Sequence, residues 1–349
     1  MSGQVSKPKI YINYIDYFRA AGLGVEAFPT GVAGTNINED FSDIFTYNPS
    51  NTKSFTPILV DNVTNWENLP RTKLKFKVWL GDGTGEAAKL VQSINFAAYL
   101  NHNFRDLDDD WLSVGRLTAA GGEPSGGLGA AQQFDTANGN GFKLLSLNDA
   151  LWDDVGCFGM VFLAQFVTWD TERPFQLGSV LAGRTFSFPH NANLSLNIDY
   201  NTDIKKSRTL GGRDVVNINY YKQPDWDGRP PFVSTYANNL TPHVGRRSWA
   251  LTFSYLQKEN TLPSDMGENF MFDNEFDDNG ETTAWGQHEN SNLTSHFMTL
   301  TMNGQLPFLF QPDDQVATFA MCRLRSNSFS VTQSAPSLYT AKMTFDETW

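Results

Sequence analysis

Within Leu338–Tyr339–Thr340–Ala341–Lys342–Met343–Thr344–Phe345, apolar and polar side chains alternate residue by residue from Tyr339 onward. Successive side chains of an extended chain point to opposite faces, so Tyr339, Ala341, Met343 and Phe345 share one side while Thr340, Lys342, Thr344 and Asp346 share the other. One dry face and one wet face describe a strand lying on a core. Two further alternating stretches, Thr318 to Leu324 and Ser328 to Thr332, come just before it. Ahead of these, Leu293, Phe297 and Leu300 recur at helical spacing up to Gly304, which predicts a short helix near the C-terminus. The sequence ends on Trp349, a large aromatic that some partner must cover. Close-set strands and no reactive cluster point to docking rather than catalysis.

Working outward, the same alternation places Trp249, Leu251, Phe253 and Tyr255 on one face of Arg247 to Leu256. Leu194 to Tyr200 and Asp214 to Tyr220 read as strands, with Leu210–Gly211–Gly212 as a turn that Asp203 to Arg208 leads into. Lys222 to Pro242 has no period and reads as a long crossing loop carrying Trp226, Phe232 and Tyr236. In the first half, Lys73 to Leu80 is the first firm strand, and Val91 to Leu100 follows, ending at Asn101–His102–Asn103. Cys157 to Val167 is apolar enough for a fully buried strand, and Leu177 to Phe188 reads as another, broken by Gly183. Residues 121–141 are rich in glycine and read as an exposed loop.

The expected architecture is therefore mainly β, with two β-sandwich or jelly-roll-like domains, long loops and one short helix. A loop-rich arm over residues 1–70 precedes a jelly-roll-like domain at 71–188 and a C-terminal β-sandwich at 189–349. A chain of 349 residues exceeds the size at which one core usually keeps growing, which favours two packed units.

Charged residues make up only 18% of the chain, so much of its surface must be polar without being charged, a surface suited to large wet contacts. A formal net charge of -12 argues against direct nucleic-acid binding, because phosphate contacts need clustered Lys and Arg. The basic runs Lys205–Lys206–Arg208 and Arg246–Arg247 are short. Cys157 and Cys322 are far apart in apolar surroundings and read as inert thiols, not a disulfide. No charged-then-apolar leader opens the sequence, and the apolar run Gly156 to Val167 is too short to cross a bilayer, so no transmembrane segment is expected.

The motifs that could carry chemistry fall short. Gly81–Asp82–Gly83–Thr84–Gly85 lacks both the Walker lysine and the dinucleotide spacing, and it reads as a turn. His102, His190, His243, His288 and His296 are scattered, and no Gly-x-Ser-x-Gly elbow occurs. The acidic stretch 265–281 imitates a calcium loop from Glu275 through Gly280. Gly286 stands where such a loop needs its bidentate glutamate, so a solvated acidic loop is the reading and no metal or cofactor is expected. A glycosidase needs only two spaced carboxylates, and Asp108 to Asp110 beside Trp111 and His102 would be the place for them. No enzymatic activity is expected.

Several segments together, taken in their order along the chain, resemble virion structural proteins of tailed bacteriophages. They are Ser93 to Asn103, Leu177–Gly178–Ser179, Gly183 to Pro189, Gly211–Gly212, Gly245 to Trp249, Leu251 to Tyr255, Leu306 to Asp313 and Tyr339 to Trp349. The second half carries most of the likeness, and the earlier segments look like strands of a galactose-binding-like jelly roll. The resemblance implies a distal-tail-like component of the tail tip or baseplate, located in the virion tail. It would be a β-rich homo-oligomeric ring protein that joins the tail tube to host-binding proteins. Trp226, Phe232, Tyr236, Trp285 and Trp349 are the interface candidates for such a ring. Two other readings stand beside it. A carbohydrate-binding module would contact host surface glycans through Trp111 or Trp152, and a tail-associated glycan hydrolase would use Asp109 or Asp110.

Overall fold

A computed structural model describes residues 7–22, 25–29, 45, 53–55, 58–60, 71–80, 94–103, 111–117, 132–135, 142–147, 159–166, 175–193, 197–201, 203–219, 246–261, 292–315 and 318–348. This part of the chain is mainly β. Its strands in chain order are β1 (Lys9–Asn13), β2 (Val25–Pro29), β3 (Lys53–Phe55), β4 (Ile58–Val60), β5 (Arg71–Leu80), β6 (Phe96–Leu100) and β7 (Trp111–Leu117). There follow β8 (Gln132–Asp135), β9 (Phe142–Ser146), β10 (Gly159–Phe166), β11 (Phe175–Leu177), β12 (Ser179–Ser187), β13 (Asn197–Asn201) and β14 (Asp203–Arg208). The last are β15 (Asp214–Asn219), β16 (Arg246–Gln257), β17 (Phe308–Gln311), β18 (Ala320–Leu324), β19 (Ser330–Ala335) and β20 (Leu338–Glu347). Helical structure is short: Tyr14–Ala20, the turn Lys258–Thr261 and the π-helical turn Leu293–Met298. The chain divides into two compact units, Asn13–Arg184 and the combination of Met1–Ile12 with Thr185–Trp349.

In the unit Asn13–Arg184, β10 lies between β5 and β7, antiparallel to both. A strand with a neighbour on each side suits the nearly unbroken apolar run that spells it. The far edge of β5 is shared end to end, β2 lying along Phe76 to Leu80 and β4 along Arg71 to Lys73. Separately, β6 is flanked by β12 and β9, and all of Phe96–Leu100 is buried, which explains why its sequence shows no alternation. Gly183 does not break β12 as expected: it pairs with Phe96, and its carbonyl accepts from Asn95 at 2.9 Å, so the strand runs through it. Asn13 caps the helix Tyr14–Ala20, its side-chain oxygen accepting from the Ile15 N–H at 3.3 Å and from Ala182 N–H at 3.1 Å. One short polar side chain thus satisfies a helix start and a strand amide together.

In the other unit the strand order is β13, β16, β20, β18, β17, β1, with β19 also on β20. β18 and β19 lie along the same side of β20, at Phe345 to Glu347 and at Leu338 to Lys342 respectively. Ala341, Met343 and Phe345 are buried, as the alternation of β20 requires, and they stand opposite Phe253, Leu251 and Trp249 of β16. Phe345 is the hub of an aromatic nest, with its ring centroid 5.0 Å from Phe310, 5.1 Å from Phe308 and 5.9 Å from Phe297. Trp249 meets Phe310 edge-on at 5.4 Å. Each edge-to-face pair adds about 0.5–1.5 kcal/mol beyond the area it buries.

The amphipathic segment that supplies Phe297 closes as a π-helical turn, with Leu293, Phe297 and Leu300 buried. The chain leaves it through Thr301, whose hydroxyl donates to the Phe297 carbonyl at 2.6 Å and accepts from the Gly304 N–H at 2.9 Å. Gly304 has φ of +78° and accepts from the Leu324 N–H at 3.2 Å, which brings it hard against the Leu324 side chain. Any Cβ there would overlap the Leu324 Cβ. Gly304→Ala should therefore destabilise the protein by roughly 2–4 kcal/mol in urea denaturation, combining overpacking with a disfavoured φ. In the Leu324→Gly background, which removes that Cβ, the cost of Gly304→Ala should drop to about the 1–2 kcal/mol of the left-handed backbone alone. Equal costs in both backgrounds would show that no steric contact is involved.

Candidate functional site

The outward face of β16, β20 and β19 is built from the residues that alternation sends away from the core. Thr252, Thr340 and Thr344 are half-buried there, while Thr332, Ser334 and Lys342 are exposed. The Ser334 and Thr340 hydroxyls are 2.8 Å apart, and the Thr332 hydroxyl donates to the Thr340 carbonyl at 3.5 Å. Hydroxyls dominate and formal charge is sparse. β19 pairs only with β20 among the described residues, and its sequence from Ser330 to Ala335 contains no charged residue.

Tyr255 interrupts this face, and its position corrects the sequence reading. Alternation places Tyr255 with Trp249, Leu251 and Phe253. In the structure Phe253 stands opposite Ala341 and Leu256 opposite Tyr339, so Ser254 and Tyr255 together face the single residue Thr340. The extra residue is a β-bulge, and it shifts the side-chain period by one. Leu256, 2% exposed, takes the core place expected of Tyr255, which is 75% exposed. Its φ of +64° lies in the left-handed region, an outlier for a bulky side chain. Asn193 braces the site: its N–H donates to the Thr252 carbonyl and its side-chain amide to the Ser254 hydroxyl, both at 2.8 Å.

At the other end of the face, Arg325 forks onto Asp346 at 2.9 and 2.7 Å and also donates to the Ser248 hydroxyl at 2.8 Å. Ser248 in turn donates to Asp346 at 2.8 Å. Ser248 is buried but the Arg325 and Asp346 side chains are partly exposed, and ion pairs open to solvent contribute about 1 kcal/mol or less. Behind them lies a buried pair that the sequence reading missed. The Glu347 side chain is fully buried, accepting from the Arg247 N–H at 2.9 Å, from its Nε at 3.0 Å and from Nη2 at 2.7 Å. The Arg247 guanidinium also lies 5.0 Å from the Trp249 ring centroid. The available signal was parity, since Glu347 continues the series Ala341, Met343, Phe345 on the core face. Cys322, opposite Glu347, is a free buried thiol whose pKa is pushed well up by burial and then by the Glu347 carboxylate. It stays protonated at neutral pH.

His102, singled out beside the Asp108 to Asp110 cluster, is 4% exposed in a polar corner after β6. There Asn103 accepts from the Gln176 N–H at 2.8 Å, and the Gly178 N–H donates to the Leu100 and Asn101 carbonyls at 3.0 Å each. Burial, and then the Lys143 charge, pull the His102 pKa from 6.5 down to about 3. Asp108 to Asp110 lie outside the described residues. Trp111 begins β7, its backbone opposite Asp135 and Gln165. Trp152, Trp226, Phe232, Tyr236, Trp285, Trp349, Cys157 and the acidic stretch 265–281 also lie outside the described residues. Among the described residues no three His, Cys, Asp or Glu side chains are grouped to hold a metal, and no helix is long and apolar enough to cross a membrane.

Comparison with protein-family models, with curated proteins and with solved structures finds no match.

Two measurements test these assignments. Tyr255→Gly should leave stability unchanged or raise it by about 1 kcal/mol, because glycine takes a positive φ without the cost an aromatic bears there. A loss above that size would mean that the ring packs against the protein. His102 remains neutral in the folded chain but takes up a proton below about pH 6.5 when unfolded, so its contribution is complete above pH 6.5 and is lost as pH falls toward 3. Up to about 1.4 kcal/mol per pH unit should disappear in that window, and the slope between pH 7 and 5 should flatten in His102→Gln.

Proposed function

We propose that this chain is a structural component of a tailed-phage virion, a tail-tip or baseplate ring protein of two β-sandwich or jelly-roll-like domains that links the tail tube to host-binding proteins. The sequence resemblance of its C-terminal half supplies the family. The observation that supports the reading is the hydroxyl-lined outward face of β16, β20 and β19, with Tyr255 turned out of the core onto it. An outward tyrosine is the kind of side chain that anchors protein interfaces, and the hydroxyls around it supply a polar, uncharged rim.

The chain should then occur at fixed copy number at the tail end of purified particles, seen by cryo-electron microscopy with a tag on the chain. A chain absent from particles, or a lone molecule that converts a substrate, overturns the proposal. Tyr255 also favours a second reading, carbohydrate binding, because an exposed ring among Thr, Ser and Asn side chains can stack on the C–H face of a pyranose while they bond its hydroxyls. On a glycan array that reading requires binding by the native chain and its loss in Tyr255→Ala.

A further inference from the structure

β14 and β15 form a two-stranded sheet of their own, with Asp203 opposite Asn219 and Arg208 opposite Asp214. A lone two-stranded ribbon is at best marginally stable in water, so its persistence calls for bracing at the turn or cover from a neighbour. The turn is well braced. Thr209 N–H donates to the Arg213 carbonyl at 2.9 Å, Gly212 N–H to the Thr209 carbonyl at 2.8 Å, and Arg213 N–H to the Thr209 hydroxyl at 3.1 Å. Arg208 Nε adds a bond to the Gly212 carbonyl at 3.4 Å. Gly212 supplies the positive φ of +80° that the turn needs, and its surroundings are open.

This ordered tip stands fully in solvent. Ser207 to Val215 are all exposed, and Leu210 at the apex has no part of its side chain covered. The ribbon is also basic, with Lys205, Lys206, Arg208 and Arg213 against Asp203 and Asp214, in a chain whose net charge is -12. A cationic projection on an anionic body is complementary to the body of another copy of itself. Such complementarity joins unlike surfaces of identical chains, which is the heterologous contact that builds rings.

We propose that the β14–β15 hairpin is a docking arm that lays its basic strands and Leu210 against the anionic surface of a second copy of this chain. The proposal deepens the assembly reading by naming the surface through which copies join. The test is sedimentation velocity on the full chain over a range of concentration and salt. Self-association should appear, weaken as salt rises because the attraction is electrostatic, and fall by about tenfold or more in Arg213→Glu and in Leu210→Asp. Arg323→Glu, an exposed charge change on β18, should leave it intact. All of these positions are exposed, so the melting temperatures should match the native chain. A photo-crosslinking residue placed at position 210 should join two copies. A chain that stays monomeric at every concentration, an association untouched by the hairpin substitutions, or crosslinks confined within one copy each overturn the docking arm. An association that survives the hairpin substitutions removes the arm alone, because incorporation into particles tests the assembly reading separately.

Discussion

The C-terminal unit depends on one requirement, that β20 keep a dry face along its length while neighbours pair with both of its edges. Ala341, Met343 and Phe345 meet it by apolar burial, and Glu347 meets it by a different means. A carboxylate on the core face is tolerable only when its charge is matched and its lone pairs are filled, and three donors from Arg247 do both. Breaking such a pair by removing one partner typically costs about 3–5 kcal/mol, comparable with truncating a core aromatic. The ion pair at Glu347 therefore ties β20 to β16, while two residues earlier the aromatic nest on Phe345 ties it to β17 and the π-helical turn. Other elements take their places from it: β18 and β19 share one edge of β20, and the π-helical turn delivers Phe297 onto Phe345.

What could be read from the sequence follows from where side-chain period carried information. The strands near the C-terminus stood out because each has one wet face, so alternation was visible in β16, β18 and β20. β10 was legible for the opposite reason, as an apolar run too short for a membrane span. Period carries nothing about a chain that changes its period, and this is how Tyr255 was misassigned. Ser254 and Tyr255 contain no glycine or proline to signal a bulge, and the insertion shows itself only when β16 is laid against β20. The Arg247–Glu347 pair was hidden similarly, since its partners are far apart in sequence and meet only through the register of two strands. β14 was passed over because Asp203 to Arg208 is too polar to resemble a strand, and its pairing with β15 is set by the Thr209 to Arg213 turn instead.

For the candidate site the limits were of another kind. Trp226, Phe232 and Tyr236 read as contacts because they lie in the aperiodic stretch Lys222 to Pro242, and a stretch without period gives no register from which to infer where a ring lies. Tyr255 reached the surface by the opposite route, from within the most regular strand of the chain. A regular strand fixes a displaced side chain in direction as well as in position. That makes the bulge a better defined point of contact than a loop of the same composition.

A bulky residue held at positive φ costs stability, and a structure retains such a cost only where its surroundings enforce it. Here the enforcement is local. Leu256 is buried, Phe253 faces Ala341, and Asn193 bonds to both Thr252 and Ser254, so the neighbours of Tyr255 are fixed on both sides of the bulge. Those constraints explain the backbone without explaining the side chain. Glycine or asparagine would fit the bulge with less strain, and a small polar residue would expose less apolar surface to water. The presence of an aromatic ring at a position where folding alone favours almost anything else is what turns a packing irregularity into an argument for contact.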